Sequence, residues 1–140
     1  MASNFIWYEL MTPDPEGAAS FYGAVVGWTI AAQNDAAAGG IDYRMIARSD
    51  GGNAGGVLAL NADMLAGGAR PGWLGYLEVA DVDAAIDAIK ADGGAVHMPA
   101  TDLPVGRIAM VGDPQGAHVY IMDPVPPPGS EGMESDVFSV

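Results

Sequence analysis

The chain has 140 residues and no cysteine, and its 18 acidic residues against 5 basic ones give a net charge of −13. This length suits one domain or two small modules that share a core, and a hydrophobic content of 50% argues against disorder. The lack of cysteine excludes disulfides and thiolate metal sites, and the acidic surface excludes nucleic acid and anionic membranes as natural partners.

The first half of the chain reads as a strand, a helix and three further short strands. After an alternating stretch, Asp14 stands where a helix N-cap belongs, because its carboxylate can accept hydrogen bonds from the first backbone N–H groups. Pro15 suits the first helical position, and Gly27 can supply the left-handed conformation that ends a helix. Extended runs are then expected at about 28–33, 41–48 and 55–60.

The second half repeats this order at an offset of 67 residues, so that Asp14 falls on Asp81. Each half carries an apolar helix stripe with the i, i+3, i+4, i+7 spacing of one helix face. The two stripes are Ala18, Phe21, Tyr22 and Val25, and Val82, Ala85, Ile86 and Ile89. Gly93 is expected to end the second helix. The extended runs of this half are expected at about 95–98, 106–111 and 117–122.

These patterns predict one domain over residues 1–123. Module one covers residues 4–60, a linker covers 61–72, and module two covers 73–123. The remaining stretch, 124–140, is rich in proline and polar residues and is expected to form an extended tail. A cytoplasmic location is expected, because the N-terminus lacks signal-peptide features and no apolar stretch approaches the roughly 20 residues that span a bilayer.

Three stretches of the sequence resemble a known superfamily. They are "PDPEGAASFYGAVVGW", "LEVADVDAAIDAIKADGG" and "GRIAMVGDPQGAHVYIMD". Together they are similar to the vicinal oxygen chelate superfamily, which includes glyoxalase I, extradiol dioxygenases and bleomycin-resistance proteins, and the resemblance covers residues 4–123. It implies an α+β fold in which two tandem βαβββ modules form a curled mixed sheet around a cavity, the glyoxalase/bleomycin-resistance fold.

Metal-binding members of this superfamily hold a divalent ion through His, Gln or Glu on the first and fourth strands of each module. The resemblance places these positions at Trp7, Val57, Leu74 and Tyr120. Tryptophan offers only a donor N–H, leucine and valine offer no polar atom, and neutral tyrosine is a poor ligand beside carboxylate or imidazole. We therefore predict no metal and no cofactor, which departs from glyoxalase and dioxygenase chemistry, where the metal is the Lewis acid.

Alternation along the strands predicts which side chains face the implied cavity. If Trp7 points inward, Glu9 and Met11 also do, and the same rule applies to the first and last strands of module two. The predicted ligand-binding residues are Trp7, Glu9, Tyr76, His118, Tyr120 and Met122. Apolar walls with a few polar anchors are typical of a small-molecule site. The aromatic side chains either contact a ligand or fill the volume that a ligand would take.

The polar residues near this lining have two interpretations each. Glu9 either pairs with a base such as Arg44 or Arg107 or lies in a wet pocket, because burying a lone carboxylate is costly. The two arginines, which occupy matching places 63 positions apart, either form ion pairs at strand edges or bind an anion. His118 is either structural or catalytic, and His97 is interpreted as a strand or rim residue.

Three functions compete. The first is a metal-independent protein that binds a small organic ligand, aromatic and neutral or cationic. The second is an enzyme of the glyoxalase or lyase type that uses Glu9 and His118, or Tyr120, as acid–base groups. The third is a metal-dependent lyase whose ligands have moved to Glu9, Glu78 and His118. A homodimer is expected, because members of the superfamily often assemble paired modules across a two-fold interface.

Overall fold

The computed structural model describes residues 4–32 and 41–125. The elements of the first half are β1 (Phe5–Thr12), α1 (Pro15–Val26), β2 (Thr29–Ile30), β3 (Tyr43–Ala47) and β4 (Asn53–Ala59). A short helix, α2 (Ala62–Ala66), follows. The second half contains β5 (Gly72–Glu78), α3 (Val82–Ala91), β6 (Ala95–Leu103), β7 (Gly106–Gly112) and β8 (His118–Pro124). The predicted βαβββ order is therefore present twice, as an α+β fold.

Three boundaries differ from the sequence prediction. The expected linker contains α2, because the Asn61 side chain caps a helical turn by accepting a hydrogen bond from the backbone N–H of Met64 at 2.8 Å. The second strand is only two residues long. Strand β6 continues to Leu103 through a stretch that was expected to separate two strands, and its register against β7 has two irregularities.

The described chain divides into two compact units. The first unit comprises residues 7–73, and the second comprises 4–6 and 74–125. In the first unit the strand order is β2-β3-β4-β1, with β1 and β4 parallel and the other pairs antiparallel. In the second unit the order is β5-β8-β7-β6, with β5 and β8 parallel. Each unit therefore has a mixed sheet of four strands.

The predicted helix caps are confirmed in both units. Asp14 and Asp81 each accept a hydrogen bond from the backbone N–H three residues further on, at 3.0 and 3.1 Å. Pro15 begins α1. Gly27 and Gly93 follow the two helices with φ of 75° and 91°, the left-handed region that glycine adopts without a steric penalty. The same local chemistry thus starts and ends the main helix of each unit.

The apolar stripe of α3 is confirmed, and that of α1 is wrong in part. All four residues of the α3 stripe belong to the core of the second unit. In α1, Ala18 and Tyr22 pack on the core together with Ala19, whereas Phe21 and Val25 are 56% and 62% exposed. The Tyr22 ring stacks on Trp28 and meets Trp73 edge-on, and these contacts rotate the helix relative to the orientation that the spacing predicted.

In the described ranges, no helix is long and apolar enough to cross a membrane. The predicted tail begins inside β8, which ends at Pro124, and its residues from 126 onward lie outside the described part of the chain. The extended conformation of the tail and the cytoplasmic location therefore stay predictions.

Candidate functional site

In the first unit, α1 covers one face of the sheet. The core beneath the helix contains Leu10, Ile46 and Val57. Because neighbouring side chains on a strand alternate, and because Leu10 pairs with Val57 in the parallel ladder, the residues beside them point to the other side. We call this side the opposite face of the first unit. It carries Trp7, Glu9 and Met11 on β1, Tyr43 and Met45 on β3, and Gly56 and Leu58 on β4.

A hydrogen-bonded chain of three side chains lies on this opposite face. The indole N–H of Trp7 donates to the hydroxyl oxygen of Tyr43 at 2.8 Å, and the Tyr43 hydroxyl is hydrogen-bonded to the Glu9 carboxylate. Glu9 is only 2% exposed. Burial, the negative charge of Glu9 and the hydrogen bond to Glu9 raise the pKa of Tyr43, against the opposing effect of the Trp7 hydrogen bond. Tyr43 therefore remains a neutral donor toward a buried carboxylate.

Gly56 provides the space for this network. It lies on β4, between the strands that carry Glu9 and Tyr43, and pairs with Glu9 on one side and Met45 on the other. A Cβ atom at Gly56 would overlap the ring and hydroxyl of Tyr43. A glycine inside a strand often marks such a close approach. The sequence prediction missed Tyr43, since the only signal was its place in an extended run.

In the second unit, the helix α3 likewise covers one face, and the predicted alternation is confirmed. Leu77, Val119 and Ile121 pack on the core under α3. The opposite face of the second unit carries Tyr76 and Glu78 on β5, His118, Tyr120 and Met122 on β8, and Met110 and Gly112 on β7.

Two tyrosines form an aromatic stack on the opposite face of the second unit. Tyr76 and Tyr120 are paired across the parallel strands β5 and β8. Their ring centroids are 4.2 Å apart with an interplanar angle of 13°, and the residues are 8% and 5% exposed. Met122 is also buried on this face. Three of the predicted lining residues are thus brought together in one unit.

At the end of the same face, His118 meets a residue that the prediction had interpreted as a rim position. The rings of His97 and His118 have centroids 4.1 Å apart and an interplanar angle of 37°. Both residues are exposed. Nothing in the sequence pattern predicted this pair, because β6 and β8 are separated by β7 in the sheet.

The arginines form ion pairs on the helix-covered side of each unit. Arg44 pairs with Val57 in the sheet register, and its guanidinium contacts Glu16 of α1 at 3.0 Å and Asp42 at 2.9 Å. The hydrogen bond from Arg44 lowers the pKa of Asp42. Arg107 contacts Asp83 of α3 at 3.1 Å and Asp102 at 2.9 Å. The ion-pair interpretation of the two arginines is therefore confirmed, and the carboxylates that pair with Arg44 are those of Glu16 and Asp42.

The residues at the positions of the superfamily's metal ligands do not fit a divalent ion. The Trp7 N–H is committed to Tyr43, and the Tyr120 ring is stacked. Val57 lies in the core under α1, so assigning it to the cavity side was wrong: its neighbours Gly56 and Leu58 share the face of Glu9. Within the described ranges no group of three or more His, Asp or Glu residues is placed to hold a metal, which does not support the shifted set of Glu9, Glu78 and His118.

The two residues predicted as an acid–base pair lie in different units. Glu9 belongs to the first unit and His118 to the second. Within the first unit, the titratable neighbour of Glu9 is Tyr43. Within the second unit, the ring next to His118 is that of His97.

The first unit also has a cleft of about 320 Å³ that the sequence did not predict. It is lined by Tyr8, Trp28, Arg48, Ala54 and Trp73. Ala54 and Trp28 also pack on the core under α1, so this cleft is separate from the face of Glu9. Its charged side chain is held in an ion pair with Asp50 at 3.1 Å. Because the Arg48 guanidinium is already paired with Asp50, the cleft is a weaker candidate than the Glu9 network.

Solved structures with the same fold include an epimerase and a protein of unstated activity. A methylmalonyl-CoA epimerase variant of Streptomyces coelicolor, in complex with 2-nitronate-propionyl-CoA, has a TM-score of 0.60 at 19% identity, covering 89% of this chain and 100% of that chain. The hypothetical protein BH1468 from Bacillus halodurans has a TM-score of 0.65 at 9% identity, covering 91% and 98%. At these identities the likeness shows the fold alone.

Curated relatives are more similar in sequence. CFP32 of Mycobacterium bovis, named as a candidate glyoxylase, is 37% identical over 124 residues, which are 88% of this chain and 45% of that protein. The anthracycline biosynthesis protein DauV of Streptomyces sp. strain C5 is 33% identical over 122 residues, covering 79% of this chain and 43% of that protein. The chain spans less than half the length of these relatives. The sequence model of the Glyoxalase/Bleomycin resistance protein/Dioxygenase superfamily matches residues 4–121, and the chain belongs to that superfamily.

Proposed function

We propose that the chain binds a small organic ligand, flat or aromatic and neutral or cationic, without a metal at the superfamily's ligand positions. The observation that carries the proposal is the network of Trp7, Tyr43 and Glu9. A glutamate side chain that is 2% exposed and hydrogen-bonded to a neutral tyrosine is an acidic group held beside aromatic side chains. Such a site favours cations and hydrogen-bond donors over anions.

The distribution of positive charge supports this preference. The five basic residues of the chain are Arg44, Arg48, Arg70, Lys90 and Arg107, and all lie in the described part. None of them lies on the opposite face of either unit. Arg44 and Arg107 form ion pairs with residues of α1 and α3. Arg48 lines the separate cleft, Lys90 is on α3, and Arg70 follows α2. An anionic ligand on the opposite face of the first unit would meet Glu9 and no lysine or arginine of the described residues.

The aromatic content of both opposite faces supports a flat ligand. Trp7 and Tyr43 in the first unit, and the Tyr76–Tyr120 stack in the second, supply aromatic rings on which a flat ligand could stack or form cation–π contacts, each worth about 0.5–2 kcal/mol. We include Met122 and His118 among the binding residues, as the strand alternation predicted. The anthracycline biosynthesis named for DauV concerns fused-ring aromatic compounds, which fit this ligand class.

A thermal-shift screen tests the proposal with matched cationic, neutral and anionic aromatic compounds of one ring size. We expect the cationic members to raise Tm most, and we expect Glu9→Gln and Trp7→Ala to reduce that increase. Asp87→Asn is the matched control, because it removes one negative charge from an exposed position on α3. Equal or larger shifts with the anionic compounds, or cation binding untouched by Glu9→Gln, would show the proposal wrong.

A second candidate is an enzyme of the glyoxalase or lyase type, in which Glu9 and His118 act as acid–base groups. The 37% identity to CFP32, named as a candidate glyoxylase, favours it. A group that transfers a proton must be reached by the substrate and must titrate near the working pH. A pH–rate profile on any substrate that is turned over decides this: loss of one limb in Glu9→Gln supports catalysis, and an unchanged profile excludes Glu9 as the base.

A further inference from the structure

The chain has two histidines, and the second unit places them side by side. They are 21 positions apart in the sequence, yet their ring centroids are 4.1 Å apart. Because the whole sequence has no other histidine and no cysteine, imidazole and thiolate ligands can meet nowhere else in the chain. The strongest nitrogen or sulfur metal ligands of the protein are therefore concentrated at one point.

The sheet is built so that the two rings can meet across a strand. His118 begins β8 and pairs with Gly112 of β7, and β6 passes on the other side of Gly112. The register of β6 slips between Val96 and Met98, so His97 is an extra residue in that ladder, and such a bulge re-aims a side chain. A Cβ atom at Gly112 would lie 2.5 Å from Nε2 of His97 and 3.5 Å from Cδ2 of His118. The glycine thus leaves the space that the pair occupies.

We propose that His97 and His118 form a two-imidazole site for a borderline divalent transition-metal ion of the Zn²⁺, Ni²⁺ or Cu²⁺ class. Neutral imidazole nitrogen is a preferred ligand of these ions, and hard ions such as Mg²⁺ prefer oxygen. The proposal does not depend on ligand binding at Trp7 and Glu9, which lie in the first unit.

Two protein ligands define an exchangeable site. In the described part of the chain no cluster of three or more potential ligands is present, so the ion would keep at least two positions of a tetrahedral shell for water or another donor. The site differs from the ligand positions implied by the superfamily, because His97 lies on β6 and not on a first or fourth strand of a module. Both rings are exposed, so metal can enter without unfolding.

Isothermal titration calorimetry of the untagged full chain with Ni²⁺ and Zn²⁺ tests the site, with Mg²⁺ as the control for the acidic surface. We expect one ion per chain, and roughly a hundredfold weaker binding in His97→Gln and in His118→Gln, because the second imidazole binds intramolecularly. Gly112→Ala keeps both histidines but separates their rings, so it should weaken binding similarly. Gln115→Ala, in the neighbouring exposed turn, should bind as the wild type does.

Circular dichroism melts show that each variant is folded, and the two histidine Cε1–H signals in NMR report the ligands directly. Joint broadening or shift of both signals at one equivalent of Ni²⁺ or Zn²⁺ supports the pair. No binding of either ion, or an affinity unchanged in one of the two histidine variants, overturns the proposal. Equal binding of Mg²⁺ would assign the heat to carboxylates and also overturn it. Unchanged binding in Gly112→Ala would show that close pairing of the rings is not what creates the site.

Discussion

Tyr43 links the other two side chains of the candidate site in the first unit. Its hydroxyl accepts from Trp7 and is bonded to Glu9, so one oxygen connects an indole, a phenol and a buried carboxylate. A buried polar network of this kind restricts all its members at once. Removing the hydroxyl leaves the other two groups with fewer partners, which is why we expect the effect to exceed that of losing an exposed hydrogen bond.

We predict that Tyr43→Phe destabilises the protein by about 1–3 kcal/mol at neutral pH, and that the difference from wild type shrinks at high pH. The folded-state pKa of Tyr43 is raised above an unfolded value near 10. Its contribution to stability is therefore fully present below a pH of about 10 and is lost as the pH rises toward the folded pKa, because the unfolded chain ionises first.

Urea unfolding of both proteins at about pH 8 and about pH 11 measures this effect. The wild type should lose about 1 kcal/mol more than Tyr43→Phe between the two pH values. The variant serves as the control for the other tyrosines, which ionise on unfolding in both proteins. A parallel loss of stability in the two proteins would show that the pKa of Tyr43 is not raised in the folded state.

At the scale of elements, both units attach the first turn of their helix to the sheet in the same way. Arg44 joins Glu16 of α1 to the sheet, and Arg107 joins Asp83 of α3. The two ion pairs differ in burial: the Arg44 side chain is 4% exposed, whereas the Arg107 side chain is 35% exposed. An ion pair with a buried partner is costly to break, because the remaining charge loses its compensation, and solvent screens the exposed pair.

We therefore predict that Arg44→Met lowers the free energy of unfolding by about 2 kcal/mol. This loss is smaller than for a fully buried ion pair, because the Glu16 side chain remains exposed to solvent. Arg107→Met is the matched substitution and should have a much smaller effect. Chemical denaturation of the two variants compares them. Equal losses of unfolding free energy in the two variants would mean that burial does not set the strength of these ion pairs.

The glycine inside β4 leads to another prediction. Gly56→Ala should destabilise the protein by about 1–3 kcal/mol, because the added methyl group overlaps the Tyr43 ring and forces it off Trp7 and Glu9. Gly72→Ala is the control, since nothing lies within 4 Å of the Cβ it would add. Thermal unfolding checks both, together with the change in tryptophan fluorescence from wild type, to which Trp28 and Trp73 also contribute. A Gly56→Ala protein that is as stable as Gly72→Ala, with unchanged fluorescence, would contradict the tight approach of Tyr43.

At the scale of the whole molecule, the net charge of −13 should assist a cationic ligand. An acidic surface raises the encounter rate of cations, and salt screens that attraction. We predict that association of a cationic aromatic ligand slows as the salt concentration rises, while that of its neutral analogue changes little. Stopped-flow fluorescence at low and physiological salt measures both rates. Equal salt dependence of the two compounds would remove the electrostatic argument.

The homodimer stays a prediction. It rests on the resemblance to proteins with paired modules, and the predicted tail beyond residue 125 lies outside the described residues. Light scattering at about micromolar concentration should give a dimer mass. A monomer mass at that concentration would show the expectation wrong.

The sequence by itself determined the elements and their order. Caps at Asp14 and Asp81, the terminating glycines and the α3 stripe depend on residues a few positions apart, so local chemistry specifies them. Strand alternation also assigned the faces of Tyr76, Tyr120 and Met122, because the period of two is intrinsic to a strand. The superfamily followed from motifs in both halves.

Only the tertiary structure decided which side chains meet. Tyr43 contacts Glu9 across β4 at Gly56, and His97 contacts His118 across β7 at Gly112. Both contacts depend on strand register and bulges, which no local sequence pattern encodes. The one-residue misplacement of Val57 has the same origin, because a shift of one position moves a side chain to the other face of the sheet. The rotation of α1 was likewise set by long-range contacts, since Tyr22 stacks on Trp28 and accepts a hydrogen bond from Trp73 at 3.1 Å.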